Sequence, residues 1–129
     1  MRILFDTNVL VAAFMGGGAS YEVIEQAIHD NEVFYTDFIL GEFRRVFTKK
    51  FHYSETFTEE YIRFIRKFFL KGKTAAKKEE ICRDPNDDQV LADAAVNEVD
   101  VIITGDKDLL VLKKHGEIKI IAPKEYWEL

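Results

Sequence analysis

The chain has 129 residues, 47% of them apolar and 32% charged, with one cysteine and a formal net charge of −5. That length suits one domain with a real core; no apolar run approaches the roughly 20 residues of a membrane helix, and a lone cysteine excludes an internal disulfide or a cysteine-rich metal site. The charged and polar residues of the opening MRILFDTN interrupt it too early for a secretory signal, so a soluble cytoplasmic protein of one domain, 1–129, is expected.

Four short runs rich in β-branched and aromatic residues read as strands, at about 2–6 (RILFD), 32–36 (EVFYT), 101–104 (VIIT) and 118–121 (IKII). Helical patterns lie between them. After the GGGAS loop at 16–20, Ser20 can cap a helix that carries Val23, Ile24, Ala27 and Ile28 on one face. Thr36 or Asp37 can start FILGEFRRVFTKKF, and Thr58 can start EEYIRFIRKFFLKG, with Gly72 as its stop. Asn86 or Asp87 can cap DQVLADAAVNE, and Asp106 can cap KDLLVLKKHG, which Gly116 ends. Pro123 suits the first turn of a short last helix. Strands alternating with helices predict an α/β fold, a mainly parallel sheet covered on both faces. In such sheets ligands bind beyond the carboxyl ends of the strands, at a topological switch point.

Carboxylates gather where that rule puts a ligand. The first strand ends on Asp6, and the third expected strand runs into Asp106 and Asp108. On the helix after the second strand, Glu42 falls in or beside the apolar stripe of Ile39, Phe43, Val46 and Phe47. A carboxylate facing a core costs several kcal/mol unless it is paired or bound to a metal. Arg44 and Arg45 are expected to face away from Glu42, and the bland alternative leaves Glu42 at the solvent edge of the stripe. Asp88 shares a face with Leu91, Ala92 and Ala95, although an Asp in a first turn also simply suits the helix dipole. Asp84 and Asp87 read as loop and cap residues, and Asp93, off the Asp88 face, as solvated, with an accessory role as the alternative. Asp6, Glu42, Asp88 and Asp106 or Asp108 come from four elements that can converge, and so many carboxylates need a cation between them. Ligation by oxygen alone selects Mg²⁺ or Mn²⁺ over Zn²⁺.

The charge is uneven. Residues 1–43 carry a net −6, residues 44–78 a net +8 and residues 79–129 a net −7. Arg44, Arg45, Lys49 and Lys50 on one helix and Arg63, Arg66, Lys67 and Lys71 on the next can hold phosphates, or can be two solvated helix faces. Phe51, Tyr53 and Phe57 between them can stack bases or pack the helices together.

In order along the chain, RILFDTNVLVAA, FILGEFRRVF, CRDPNDDQVLADAA, VDVIITGDKDLL and IKIIAPKEYWE resemble the PIN domain. The resemblance covers essentially the whole chain, and its nearest branch looks like the small prokaryotic toxin components related to the VapC toxins. It implies a three-layer α/β/α sandwich and a metal-dependent ribonuclease with three or four clustered acids. Residue by residue it implies Asp6 as the first acid, Glu42 as the second and Asp88 as the third, with Asp106 and Asp108 both open for the fourth. Asn8 and Thr104 match the polar positions that support those acids. It further implies an antitoxin partner and a homodimer, with RNA as substrate. Phe38 and Gly41 depart from the more acidic or leucine-rich start usual for that helix, and no acid is lost.

Hydrolysis of RNA by a water activated on Mg²⁺ or Mn²⁺ is therefore the expected chemistry. His29, His52 and His115 show no pairing that suggests imidazole acid–base catalysis. Two rivals remain. One is a catalytically quiet scaffold that binds RNA or an antitoxin. The other is a phosphatase of the haloacid dehalogenase type, which wants Asp-x-Asp where this chain has Asn8 in the second position.

Overall fold

The computed structural model describes residues 1–129. In chain order the elements are β1 (Arg2–Phe5), α1 (Thr7–Gly16), α2 (Gly18–Asp30), β2 (Glu32–Tyr35), α3 (Asp37–Arg45), α4 (Glu55–Phe68), β3 (Leu70–Lys71), α5 (Pro85–Val96), β4 (Val101–Ile103), α6 (Lys107–Leu110), β5 (Lys114–His115) and β6 (Ile118–Ile121). A π-helical turn, Val46–Lys50, extends α3, and a 3₁₀ helix, Pro123–Glu128, closes the chain.

The six strands are ordered β3-β2-β1-β4-β6-β5, and all pairings are parallel except β5 with β6. The register sets Leu4 between Phe34 and Ile102, and Ile103 between Phe5 and Ile121. Ile3, Leu4, Phe5, Ile102 and Ile103 are buried, as an all-apolar run in a sheet covered on both faces must be. From β1 the chain steps to β2 and β3 toward one edge, so right-handed crossovers place α1–α4 on one face. It then returns past β1 to β4, which places α5 on the other face. The reversal makes the gap between the ends of β1 and β4 the switch point.

The helices of the first face are joined by aromatic rings. Phe14 of α1 stacks on Tyr61 of α4 at 4.8 Å and meets Phe43 of α3 edge-on at 5.7 Å. On the other face, α5 holds a long loop by a polar stripe. Asn97, just past its end, bonds both backbone groups of Lys73 (2.9 and 2.8 Å), Asp93 accepts from Ala75 N (2.7 Å), and Gln89 donates to Ala75 O (2.9 Å). These bonds satisfy loop backbone groups that a regular ladder would otherwise serve.

Several local expectations are corrected. Residues 7–16 form a helix, and Gly17, with φ +65°, is the break before α2, so the expected 16–20 loop shrinks to a tight joint. α4 begins after Ser54, whose hydroxyl accepts from Phe57 N, and ends before Phe69 rather than at Gly72. α5 is capped by Asp84 rather than Asn86 or Asp87. The segment after Asp106 forms only one helical turn, because Lys113–Ile121 folds back as a hairpin around Gly116. Asp93 is fully buried, bonded to Thr36 Oγ1 (2.7 Å) and Gln89 Nε2 (2.8 Å), not solvated.

Candidate metal centre

Asp6 follows the last residue of β1 and caps α1. Its Oδ1 accepts from Thr7 N (2.8 Å), and its Oδ2 accepts from the hydroxyl of Thr104 (2.7 Å). Thr104 follows β4, is fully buried, and also accepts from Asp106 N (3.0 Å). Asp106 in turn caps α6, its Oδ1 accepting from Asp108 N (2.8 Å). Asn8 Oδ1 accepts from Gly105 N (3.1 Å), so α1 and the turn after β4 are tied at two points.

The third acid comes from the start of α5. Asp84 caps this helix by accepting from Asn86 N (2.9 Å), and Pro85 takes the first helical position, where its missing N–H costs nothing. Asp87 then falls in the first turn and turns toward the switch point. One carboxylate oxygen from each of Asp6, Asp87 and Asp106 lies within 4.8 Å of the other two.

The electrostatics of this trio are unfavourable for bare carboxylates. Burial raises the Asp6 carboxyl above its usual range, partly countered by the bonds from Thr104 and Thr7. Burial and the adjacent Asp106 and Asp6 push Asp87 up to about 7. Its Oδ2 is buried without a hydrogen-bond partner. An orphaned carboxylate oxygen amid two other acids fits a hard divalent cation, and no histidine or cysteine joins the set.

The trio lines a cleft of about 620 Å³, together with Asn8, Met15, Phe38, Glu42, Arg45, Lys50 and Phe51. Glu42 is half-buried and lies on the cleft, but outside the trio; its Oε2 is paired with Arg45 at 2.8 Å. This corrects the expectation that Arg45 faces away. The two are three apart on a helix, a spacing at which side chains meet.

The other expected residues are placed as follows. Asp88 is buried away from the trio, where its Oδ1 accepts from Cys82 N (2.7 Å) and Ile81 N (3.1 Å); those bonds hold its carboxyl below the usual range. The structure therefore brings Asp87, not Asp88, to Asp6 and Asp106. The signal was present in the sequence: Pro85 at the first helical position makes Asp84 the cap and fixes the phase of the Asp87–Asp88 pair. Asp108 is outside the trio and pairs with Arg83 at 2.7 Å. Arg44 is engaged by Glu59 and Glu55 of α4, while Arg66 and Lys67 are exposed on α4 and Lys49 on the π turn, none of them on the cleft. Tyr53 packs on Phe47 (4.9 Å) and Phe57 on Tyr53 (5.0 Å), which leaves only Phe51 of those three rings at the cleft.

Comparison of the sequence with curated proteins gives no significant match. Among solved structures, the fold is similar to the VapBC2 structure from Rickettsia felis, determined with a DNA fragment from its promoter. The match has a TM-score of 0.68 at 14% identity and covers 93% of this chain and 97% of that one. Residues 2–108 match the family model of the PIN domain. With most of its length matched in this way and a parallel sheet whose switch point carries clustered acids, the chain belongs to the PIN domain family.

Proposed function

We propose that this chain is a Mg²⁺- or Mn²⁺-dependent ribonuclease that hydrolyses phosphodiester bonds at the Asp6–Asp87–Asp106 cluster. One observation carries the reading: three carboxylates from three elements meet within 4.8 Å, and one of their oxygens is buried without a partner. Asp6, Asp87 and Asp106 would hold the cation, with Glu42 of the same cleft as the fourth acid once its pairing with Arg45 loosens. A divalent cation bound there supplies a water of lowered pKa and neutralises charge that develops on the phosphate. Thr104 keeps Asp6 turned toward the cluster, and Asn8 holds the Gly105 turn that carries Asp106. None of the three histidines lines the cleft, so imidazole catalysis through a substrate 2′-hydroxyl has no residue to perform it.

In its biological setting we read the chain as a cytoplasmic toxin component or relative, acting as a homodimer with an antitoxin partner. The likeness to VapBC2 in fold supports this reading. No helix is long and apolar enough to cross a membrane.

The test is cleavage of a mixed RNA pool with Mg²⁺ or Mn²⁺, wild type beside Asp6→Asn and Asp87→Asn. Cleavage that stops in EDTA and in both variants, leaving 5′-phosphate ends, supports the reading. Activity that survives EDTA or either variant refutes it. Binding without any cleavage would favour the quiet scaffold.

A further inference from the structure

The π turn at Val46–Lys50 has no role in holding the acids, yet it decides what faces them. Phe51 N bonds back to Val46 O at 3.1 Å, across five residues rather than four. Arg45 and Lys50 are five apart, and on an uninterrupted α-helix they would point about 140° away from each other. The π turn stacks positions of that spacing, and both residues line the cleft with Glu42 and Val46. Arg45 is 57% exposed and spends one edge of its guanidinium on Glu42, which leaves donors free. Lys50 sits 5.6 Å from the centre of the Phe51 ring, and Phe51 is 39% exposed at the cleft although it is a large apolar side chain. Two cations and an exposed ring thus line the same cleft as the three acids.

We propose that Lys50 and Phe51, carried to the cleft by the π turn, form with Arg45 a nucleotide-positioning wall: the base flanking the cleaved phosphodiester stacks on Phe51, and its phosphate lies against Lys50 and Arg45. This rests on the ribonuclease reading and adds residues the acid cluster does not define. The acids by themselves repel a polyanion, so the cations that line the same cleft set where the backbone can approach. The ring accepts any base face, which gives position without strong sequence preference.

The experiment is steady-state cleavage of a labelled unpaired RNA oligonucleotide in Mn²⁺, with binding of the same oligonucleotide followed in parallel by fluorescence anisotropy. Phe51→Ala is expected to raise KM and the dissociation constant roughly tenfold with kcat changed less than about twofold. Phe51→Trp restores both, which a merely structural role would not. Lys50→Ala raises KM and lowers the salt slope of binding by about one. Lys124→Ala, the same charge change on an exposed residue outside the cleft, leaves both alone. The proposal is overturned if Phe51→Ala and Lys50→Ala match wild type, or if Lys124→Ala reproduces Lys50→Ala. Should wild type cut nothing, the ribonuclease reading fails; the anisotropy series then still decides whether this wall binds nucleotides.

Discussion

Replacing Asp87 and Asp88 in turn, each by asparagine, should move stability in opposite directions. In the metal-free protein the Asp87 carboxyl is raised from 3.8 to about 7 by burial and by Asp106 and Asp6. A group with a raised folded pKa holds a proton that the unfolded chain has already released. The penalty is therefore absent below about pH 4, grows as pH rises to 7 and is complete above it. Taken whole, the shift corresponds to about 4 kcal/mol. Because the cleft is open to solvent and the charge is shared among three acids, roughly 1–2 kcal/mol is the reasonable expectation. Asp87→Asn removes that charge and supplies an amide donor for its neighbours. In EDTA at pH 8 it should raise Tm by roughly 5 °C, and the gain should vanish toward pH 4. Asp88→Asn keeps an oxygen for Ile81 N and Cys82 N but loses the charge assistance of both bonds, so it should lower Tm.

Adding Mn²⁺ separates the pair again. Wild type and Asp88→Asn should gain several degrees, while Asp87→Asn gains little, because it has lost one of three ligands. Thermal unfolding followed by circular dichroism at pH 4, 6 and 8, with EDTA or with Mn²⁺, measures all of this. If Asp87→Asn is less stable than wild type in EDTA at pH 8, or if Asp88→Asn alone abolishes the Mn²⁺ shift, the assignment of the third acid is wrong.

Three further outcomes are expected. Thr104→Val removes the hydroxyl that bonds Asp6 Oδ2 and Asp106 N; it should cost roughly 2–3 kcal/mol in denaturant titration and about tenfold in cleavage rate. Gly72→Ala would place a Cβ 2.8 Å from Oδ1 of Asn97, a side chain pinned by Lys73 and Asp93; it should destabilise by about 1–3 kcal/mol while leaving the Mn²⁺ shift in Tm intact. Mn²⁺ affinity should rise between pH 5 and 8 as the proton on Asp87 ceases to compete, with up to one proton released near pH 6, readable by calorimetry in two buffers of different ionisation enthalpy.

The layers of the fold were legible because the central strands state them twice: after Arg2, ILF of β1 and VII of β4 are apolar throughout, and only a sheet buried on both faces needs that. What the sequence hid was local competition. Residues 7–16 are helical with a nearly all-apolar composition, so α1 shows little amphipathic period for a reader to follow. β3 and β5 are two residues each, too short for any alternation. Asp6 was readable from its place at a strand end. Glu42 was readable as an anomaly in an apolar stripe, though its partner Arg45 was misplaced. Asp88 and Asp93 looked like site and solvent, respectively, and are instead anchors for a loop whose path no local pattern reveals.

The three acids share one further property that explains why they can coexist at all. Each stands at a helix start: Asp6 as the cap of α1, Asp106 as the cap of α6, and Asp87 in the first turn of α5. Helix starts present unpaired N–H groups and a partial positive charge, which offset part of the cost of gathering carboxylates. A parallel sheet makes this arrangement recur: β1 and β4 each hand over at the carboxyl edge to a helix that begins there, and α5 reaches the same edge through the long loop after β3. The offset is uneven. Asp6 and Asp106 each accept a backbone N–H, whereas Asp87 has an oxygen with no donor, since Asp84 already serves the cap of α5. Asp87 is thus the acid whose charge the fold leaves uncompensated, and it is there that a proton or a cation has most to contribute. On the proposed reading, that imbalance is expected to make cation binding sensitive to pH near neutrality, where competition between proton and cation is closest.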